Sequence, residues 1–241
     1  MIQIKLDAID STNDFLKANK ALDSLSNFTV VTAESQTNGR GQRGATWVSE
    51  PGKNLTFSIL VKDFYQENYQ PFELIIAVSV SIHAALQALE IPQLSIKWPN
   101  DIMAGNFKIG GILIENLHKG DKSIVSIVGV GINVNQLDFE GFPQASSIAA
   151  CCHKQVDKQV VLEKLVANLA YTLSNWASQR VSSVLYYQNN LFRKGMISSF
   201  QTPHLEFAGV ITGVTTEGKL VVVNEFQQEL KFDLKEIKLL F

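Results

Sequence analysis

Gly39-Arg40-Gly41-Gln42-Arg43-Gly44 follows one apolar, β-branched run, Phe28-Thr29-Val30-Val31-Thr32-Ala33, and precedes another, Leu55 to Val61. Glycines let successive backbone N–H groups converge on an anion, and guanidinium groups add planar donors matched to carboxylate or phosphate oxygens. The string spells G-x-G-x-x-G, but a dinucleotide-binding turn needs a helix directly after it. Here the chain runs on through Ala45-Thr46-Trp47-Val48-Ser49-Glu50-Pro51-Gly52-Lys53-Asn54, with Pro and Gly and no helical period. A kinase phosphate lid shares the strand–loop–strand order, yet the chain contains neither H-R-D nor D-F-G. A second glycine pair, Gly129-Val130-Gly131-Ile132-Asn133, lacks a third glycine and a following helix. The loop therefore reads as a cradle for a small anionic ligand, set between two strands.

Working outward, Ile2 to Leu6 alternates as a strand, and Ser11-Thr12-Asn13 offers N-cap chemistry for a short helix carrying Phe15, Leu16, Ala18 and Leu22. Pro71 to Leu89 has a helical apolar period behind a first-turn proline. Leu94 to Trp98, Asp101 to Met103 and Lys108 to Leu117 read as strands, the last two joined across Ala104-Gly105-Asn106. Gly120-Asp121 marks a turn before a strand over Ser123 to Asn133. Asp157 to Gln179 reads as one long amphipathic helix, and a short one follows at Ser183 to Asn190. After Gly195 the pattern changes to short strands with glycine turns: Leu205 to Phe207, Gly209 to Val214, Lys219 to Val223 and Glu229 to Phe232. The expectation is an α+β chain, with residues 1–194 forming a catalytic domain and residues 195–241 a small β-barrel packed on it.

Composition narrows the function. A net charge of −2 gives no basic field for nucleic acid. No apolar run approaches the roughly 20 residues of a membrane span, and the N-terminus has no signal-peptide pattern. Cys151 and Cys152 are adjacent, and the four histidines show no zinc spacing. These features point to a cytoplasmic protein with no membrane and no DNA partner.

A second constellation is Lys97-Trp98-Pro99-Asn100-Asp101, with Lys108 eleven residues beyond Lys97 and Gly110-Gly111 after it. A hairpin across Gly105-Asn106 would gather both lysines and Asp101 at one end of a sheet. Two ammonium groups and the arginine loop would neutralise a carboxylate and a polyphosphate together, and Asp101 is a candidate Mg²⁺ ligand. Taken singly, each residue has a plain reading: a solvated strand lysine, a packed Trp-Pro turn, an Asn-Asp turn.

Together these blocks resemble the biotin–protein ligase (biotin–[acetyl-CoA-carboxylase] ligase) family, in its order: Ser11-Thr12-Asn13, Gln36 through Trp47, Lys97 through Gly111, and Gly129 through Asn133. The resemblance implies a mixed sheet with flanking helices, like the core of class II aminoacyl-tRNA synthetases, followed by an SH3-like barrel. It implies activation of biotin by ATP to biotinyl-5′-AMP, then transfer to a lysine of a biotin carboxyl carrier domain. By residue, it places Ser11, Thr12, Asn13 and Gln36 at the ring end of biotin. Gly39, Arg40, Gly41 and Gln42 wrap the acyl chain and adenylate, with Gly111 beside them. Arg43, Trp47, Asn100 and Asn133 attend the nucleotide, and Asp101 the Mg²⁺. Lys108 contacts carboxylate and α-phosphate and is the leading catalytic residue, with Arg40 and Lys97. Core packing is the competing reading for Trp47.

Many family members carry Arg where this chain has Gln42, which removes one charge from the adenylate's surroundings. Members that double as repressors carry an N-terminal helix-turn-helix ahead of the Ser-Thr-Asn block, which here begins at residue 11. No DNA binding is expected. A homodimer remains open. The rivals are a lipoate–protein ligase or octanoyl transferase of the same fold, and a non-catalytic biotin-binding sensor.

Overall fold

The computed structural model describes residues 2–65, 69–120 and 123–241. The larger sheet has seven strands: β1 (Gln3–Ile9), β2 (Val30–Gln36), β3 (Leu55–Lys62), β4 (Leu94–Lys97), β5 (Asp101–Ala104), β6 (Phe107–His118) and β7 (Ile124–Ile132). Their order is β1-β2-β3-β7-β6-β5-β4, with β1 and β2 parallel and every other pair antiparallel. Among the described residues five α-helices accompany it: α1 (Thr12–Ala18), α2 (Pro71–Gln87), α3 (Ile148–Cys152), α4 (Lys158–Ser174) and α5 (Trp176–Asn189). The mixed sheet with flanking helices matches the α+β expectation.

Strand alternation sorts residues between the two faces of this sheet. Phe57, Ile59 and Val61 of β3 and Val128, Val130 and Ile132 of β7 join the main core with α2, α4 and α5. Leu60 of β3 and Val125 and Ile127 of β7 face the other way and pack with Leu16 of α1. Continuing along that second face, the strands change chemistry. Leu60 gives way to Ser58 and Thr56, and Ile127 to Gly129 and Gly131. The face is thus apolar under α1 and small or polar beyond it, which leaves a hollow.

The second sheet begins at Ile197 and contains β8 (Ile197–Gln201), β9 (Glu206–Val214), β10 (Leu220–Asn224), β11 (Glu229–Phe232) and β12 (Lys238–Leu240). Its order is β11-β10-β9-β8-β12, antiparallel throughout. No pairing joins β11 to β12 among the described residues, so the element expected as an SH3-like barrel is not closed by hydrogen bonds. It packs on the first sheet: Phe200, Ile211, Leu220 and Val222 belong to the main core, and Trp98 Nε1 donates to the Gly218 carbonyl at 2.9 Å.

Local departures have identifiable causes. The helix expected over Asp157 to Gln179 is two helices that meet at Asn175, whose backbone leaves helical geometry (φ −108°, ψ 15°). The apolar period continues across the break because Leu173 and Trp176 both enter the core. The helix expected at Ser183 to Asn190 is the second half of α5. The strands expected at Leu205 to Phe207 and Gly209 to Val214 are one, β9, and β8 and β12 were not among the strands read from the sequence. Asp121 of the predicted Gly120-Asp121 turn lies outside the described residues.

Candidate active site

The hollow has a volume of about 290 Å³. Its walls come from α1 (Ser11 to Asn13), the end of β2 (Gln36), the glycine loop (Arg40 to Gln42 and Ala45 to Trp47), the β4–β5 turn (Pro99, Asn100, Asp101) and β6 (Lys108, Gly111). Thr56, Gly129 and Gly131 form its floor, and Leu234 reaches it from the second sheet. All three sequence blocks and the second glycine pair converge here.

One corner is polar and buried. Ser11 caps α1, its Oγ accepting from Asp14 N at 3.4 Å. Gln36 Oε1 accepts from Thr12 N at 2.8 Å and from Thr12 Oγ1 at 3.1 Å. Ser58 Oγ lies 2.7 Å from Thr12 Oγ1 and 2.5 Å from Asn13 Oδ1. Asn13 sits over Gly129, where an added Cβ would fall 2.5 Å from Asn13 Oδ1. Ser58 was not singled out in the sequence reading, where it is an ordinary residue of the Leu55 to Val61 strand, whereas Gly129 belongs to the second glycine pair.

The glycine loop is folded. Arg40 bridges Thr46, Gly41 N donates to Ala45 O at 2.7 Å, and Gln42–Gly44 makes a single 3₁₀ turn. The Arg40 guanidinium pairs with Asp14 of α1. Asp14 in turn binds Lys17 at 2.8 Å, and Lys17 binds Glu115 of β6 at 2.7 Å. Gly39 lies outside the cavity wall, its carbonyl accepting from Trp47 N at 2.9 Å. The Arg43 side chain lies outside what the structure describes.

Opposite the polar corner, the Trp47 indole rests on the sheet at the paired residues Gly111 and Gly131. A Cβ at Gly131 would come 2.5 Å from Trp47 Cζ2 and 2.9 Å from Nε1. Nε1 is buried without a hydrogen-bond partner. Trp47 is packed on the sheet and also walls the cavity. Gly131→Ala is expected to push the indole outward and cost about 1–3 kcal/mol where it cannot yield. A red shift of Trp emission and a lowered Tm would report it; unchanged emission would mean that the indole does not depend on this shelf.

The β5–β6 hairpin forms as expected across Gly105-Asn106, with a register shift between Ile102 and Met103. It brings Lys108 Nζ to 2.7 Å from Asp101 Oδ1 and to 5.7 Å from the Trp47 ring centre. Asn100 is nearly buried and spends its amide on the Ile112 carbonyl at 2.5 Å. The Pro99 carbonyl is held by Tyr187 Oη at 2.9 Å, which ties this turn to α5.

Like Gly39, two further expected residues, Lys97 and Asn133, stand outside the central cavity. Lys97, opposite Asp101 in the β4–β5 ladder, lines an adjoining hollow of about 420 Å³ together with Asp101 and Lys108. Its ammonium lies 4.6 Å from the Phe241 ring centre. Burial lowers the Lys97 pKa, opposed by Asp101 and reinforced by Lys108 and Lys238. Asn133 is buried at the end of β7, donating to Ser146 O at 2.9 Å. Asp101 is the counter-ion of Lys108, and no group of three or more His, Cys, Asp or Glu comes together among the described residues.

The arrangement is a cleft with an oxygen-rich corner, a cationic loop, an ammonium group at its middle and an indole-covered end. Residues 6–133 match the model of the biotin/lipoate A/B protein ligase family, and the chain belongs to that family. A biotin protein ligase from Aquifex aeolicus, solved in complex with biotin and ATP, superposes with a TM-score of 0.81 at 26% identity, covering 99% of this chain and 98% of that one. The biotin–[acetyl-CoA-carboxylase] ligase of Mycobacterium tuberculosis is 26% identical over 87% of this chain and 79% of its own length. The bifunctional ligase/repressor BirA of Bacillus spizizenii is 27% identical over 84% of this chain, which spans 63% of that relative's length. No helix among the described residues is long and apolar enough to cross a membrane.

Proposed function

We propose that this protein is a biotin–protein ligase, activating biotin with ATP and passing the biotinyl group to a lysine of a carboxyl carrier domain. The observation that carries this reading is the single cavity shared by Arg40, Lys108 and the Thr12–Asn13–Gln36 corner. A carboxylate oxygen of biotin attacks the α-phosphorus of ATP, an O–P bond forms, and pyrophosphate leaves. The neutral amine of the carrier lysine then attacks the acyl carbon; AMP leaves and the nitrogen gives up a proton to solvent. Both steps gather negative charge on oxygens, so fixed positive charge and positioning are the principal devices.

In this reading the polar corner takes the ureido ring, whose N–H groups meet Gln36, Thr12, Ser58 and Asn13 oxygens. Gly41 and Gln42 follow the acyl chain. Lys108 lies between carboxylate and α-phosphate, and exchanges its contact with Asp101 for them. Trp47 covers the adenine, with Asn100 and Asn133 shaping that end. Arg43 and Lys97 attend the outer phosphates. Asp101 would give Mg²⁺ one carboxylate, and the ion would arrive with the triphosphate and offset its charge; no cluster of three or more His, Cys, Asp or Glu cages it among the described residues.

Family membership alone admits lipoate chemistry. The Mycobacterium tuberculosis relative and the Aquifex aeolicus structure named above are biotin ligases, and lipoate's dithiolane has no N–H to give the oxygen-rich corner. The test is incubation with ATP, Mg²⁺, biotin and a purified carrier domain, read by intact mass. Addition of one biotinyl group supports the proposal. Labelling by lipoate instead, or biotin binding with no labelling, overturns it. Ligand should also order the loop: amide exchange over residues 40–47 is expected to slow when biotin and ATP are added, because few packing contacts hold the loop alone. Unchanged exchange there would remove its role as a flap.

A further inference from the structure

The buried corner can be read by counting hydrogens. Thr12 is 3% exposed, Ser58 0% and Asn13 3%, so water contributes little there. Gln36 Oε1 is fixed as an acceptor because it receives the Thr12 backbone N–H. Asn13 Nδ2 is fixed as a donor because Glu115 Oε2 lies 2.7 Å away and the Leu113 carbonyl 3.5 Å away. Asn13 Oδ1 must then face Ser58 as an acceptor. Between these two acceptor ends stand only the hydroxyls of Thr12 and Ser58, each with one hydrogen. They serve three contacts: Gln36–Thr12 at 3.1 Å, Thr12–Ser58 at 2.7 Å and Ser58–Asn13 at 2.5 Å. The row is one hydrogen short: whichever way the two hydroxyls turn, one of the three contacts carries no hydrogen, and an added donor would complete it.

We propose that Glu115 is a specificity-determining positioning residue: it locks the Asn13 amide with oxygen toward Ser58, so the corner lacks a donor and selects a ligand head group that brings N–H. With a neutral side chain at position 115, Asn13 can turn over, present its NH₂ to Ser58 and complete the row without a ligand. Glu115 is suited to this as a carboxylate, which only accepts. Burial tends to raise its pKa, but Lys17 and Asn13 hydrogen bonds, with the charges of Lys17 and Arg40, leave it lowered and the group ionised. Lys17, tied also to Asp14, fixes the carboxylate from the other side.

This inference rests on the proposed function, in which the head group is the ureido ring of biotin. The test is a double-mutant cycle with Glu115→Gln and Asn13→Ala, measuring KM for biotin and ATP, kcat, and direct binding of biotin and of lipoate. Glu115→Gln is expected to raise the biotin KM roughly tenfold and narrow the preference for biotin over lipoate, with ATP KM and kcat little changed. In the Asn13→Ala background the same substitution should change the biotin KM less than about twofold. An equal cost in both backgrounds, or a parallel loss for biotin and ATP, would overturn the inference while leaving the ligase reading intact. Failure of the unmodified protein to bind biotin would overturn the ligase reading itself, and this inference with it.

Discussion

Replacing Lys108 with alanine is expected to slow adenylate formation by roughly 10²–10³, equivalent to about 2.7–4 kcal/mol of transition-state stabilisation. Lys108 is the one lysine lining the central cavity among the described residues, and its ammonium is already placed by Asp101 at 2.7 Å. An ammonium held by a carboxylate needs little reorganisation when phosphate and acyl oxygens arrive. The substitution also leaves Asp101 unpaired beside an incoming polyanion, which adds repulsion to the lost attraction. Pre-steady-state measurement of biotin-dependent pyrophosphate release reads the step directly. A rate within threefold of the unmodified enzyme would remove Lys108 from the chemistry. Retention of the β5–β6 hairpin by Lys108→Met would separate this effect from misfolding.

Arg40→Glu is expected to weaken biotin and adenylate together, roughly 10²-fold, because a carboxylate would replace the guanidinium on the cavity wall. The structure adds a second consequence. Arg40 is paired with Asp14, so reversal sets two carboxylates against each other and detaches the loop from α1. The two effects separate in the charge-swapped pair Arg40→Glu with Asp14→Arg. That pair should return amide exchange in the loop to the rate of the unliganded, unmodified protein and leave biotin affinity low. Recovery of full affinity by the swap would mean that Arg40 serves only as a tether.

The motifs were legible because their meaning is local. The Gly105-Asn106 turn sets the hairpin register, and that register alone carries Lys108 to Asp101. The Ser11 cap, the anion-ready loop and the loss of apolar residues along β3 and β7 are likewise short-range signals. The residues that bind the site together were not legible. Asp14, Lys17 and Glu115 form one charged chain, yet Glu115 lies about a hundred positions beyond α1, and strand order decides their meeting. Leu234 reaches the cavity only because the second sheet folds back onto Trp98.

Lys97 shows a different limit. Its place in the motif matched expectation, but in the β4–β5 ladder it lies opposite Asp101 and faces a neighbouring hollow with Phe241. Motif spacing fixes position along the strand, and the packing of the chain's last residue fixes what the side chain meets. Asn133 behaves similarly, taken up by the segment that leads into α3. The break at Asn175 was hidden for a third reason: apolar periodicity reports the buried face, and both helices bury the same one.

The most direct measurement is acid-quench analysis of the protein mixed with biotin, Mg²⁺ and labelled ATP, with no acceptor protein present. A flap bearing Arg40 and a strand bearing Lys108 that enclose one acyl phosphate should yield close to one equivalent of bound biotinyl-5′-AMP per chain. Label released as AMP at the same rate with and without biotin, or no adenylate on the protein at all, would contradict it.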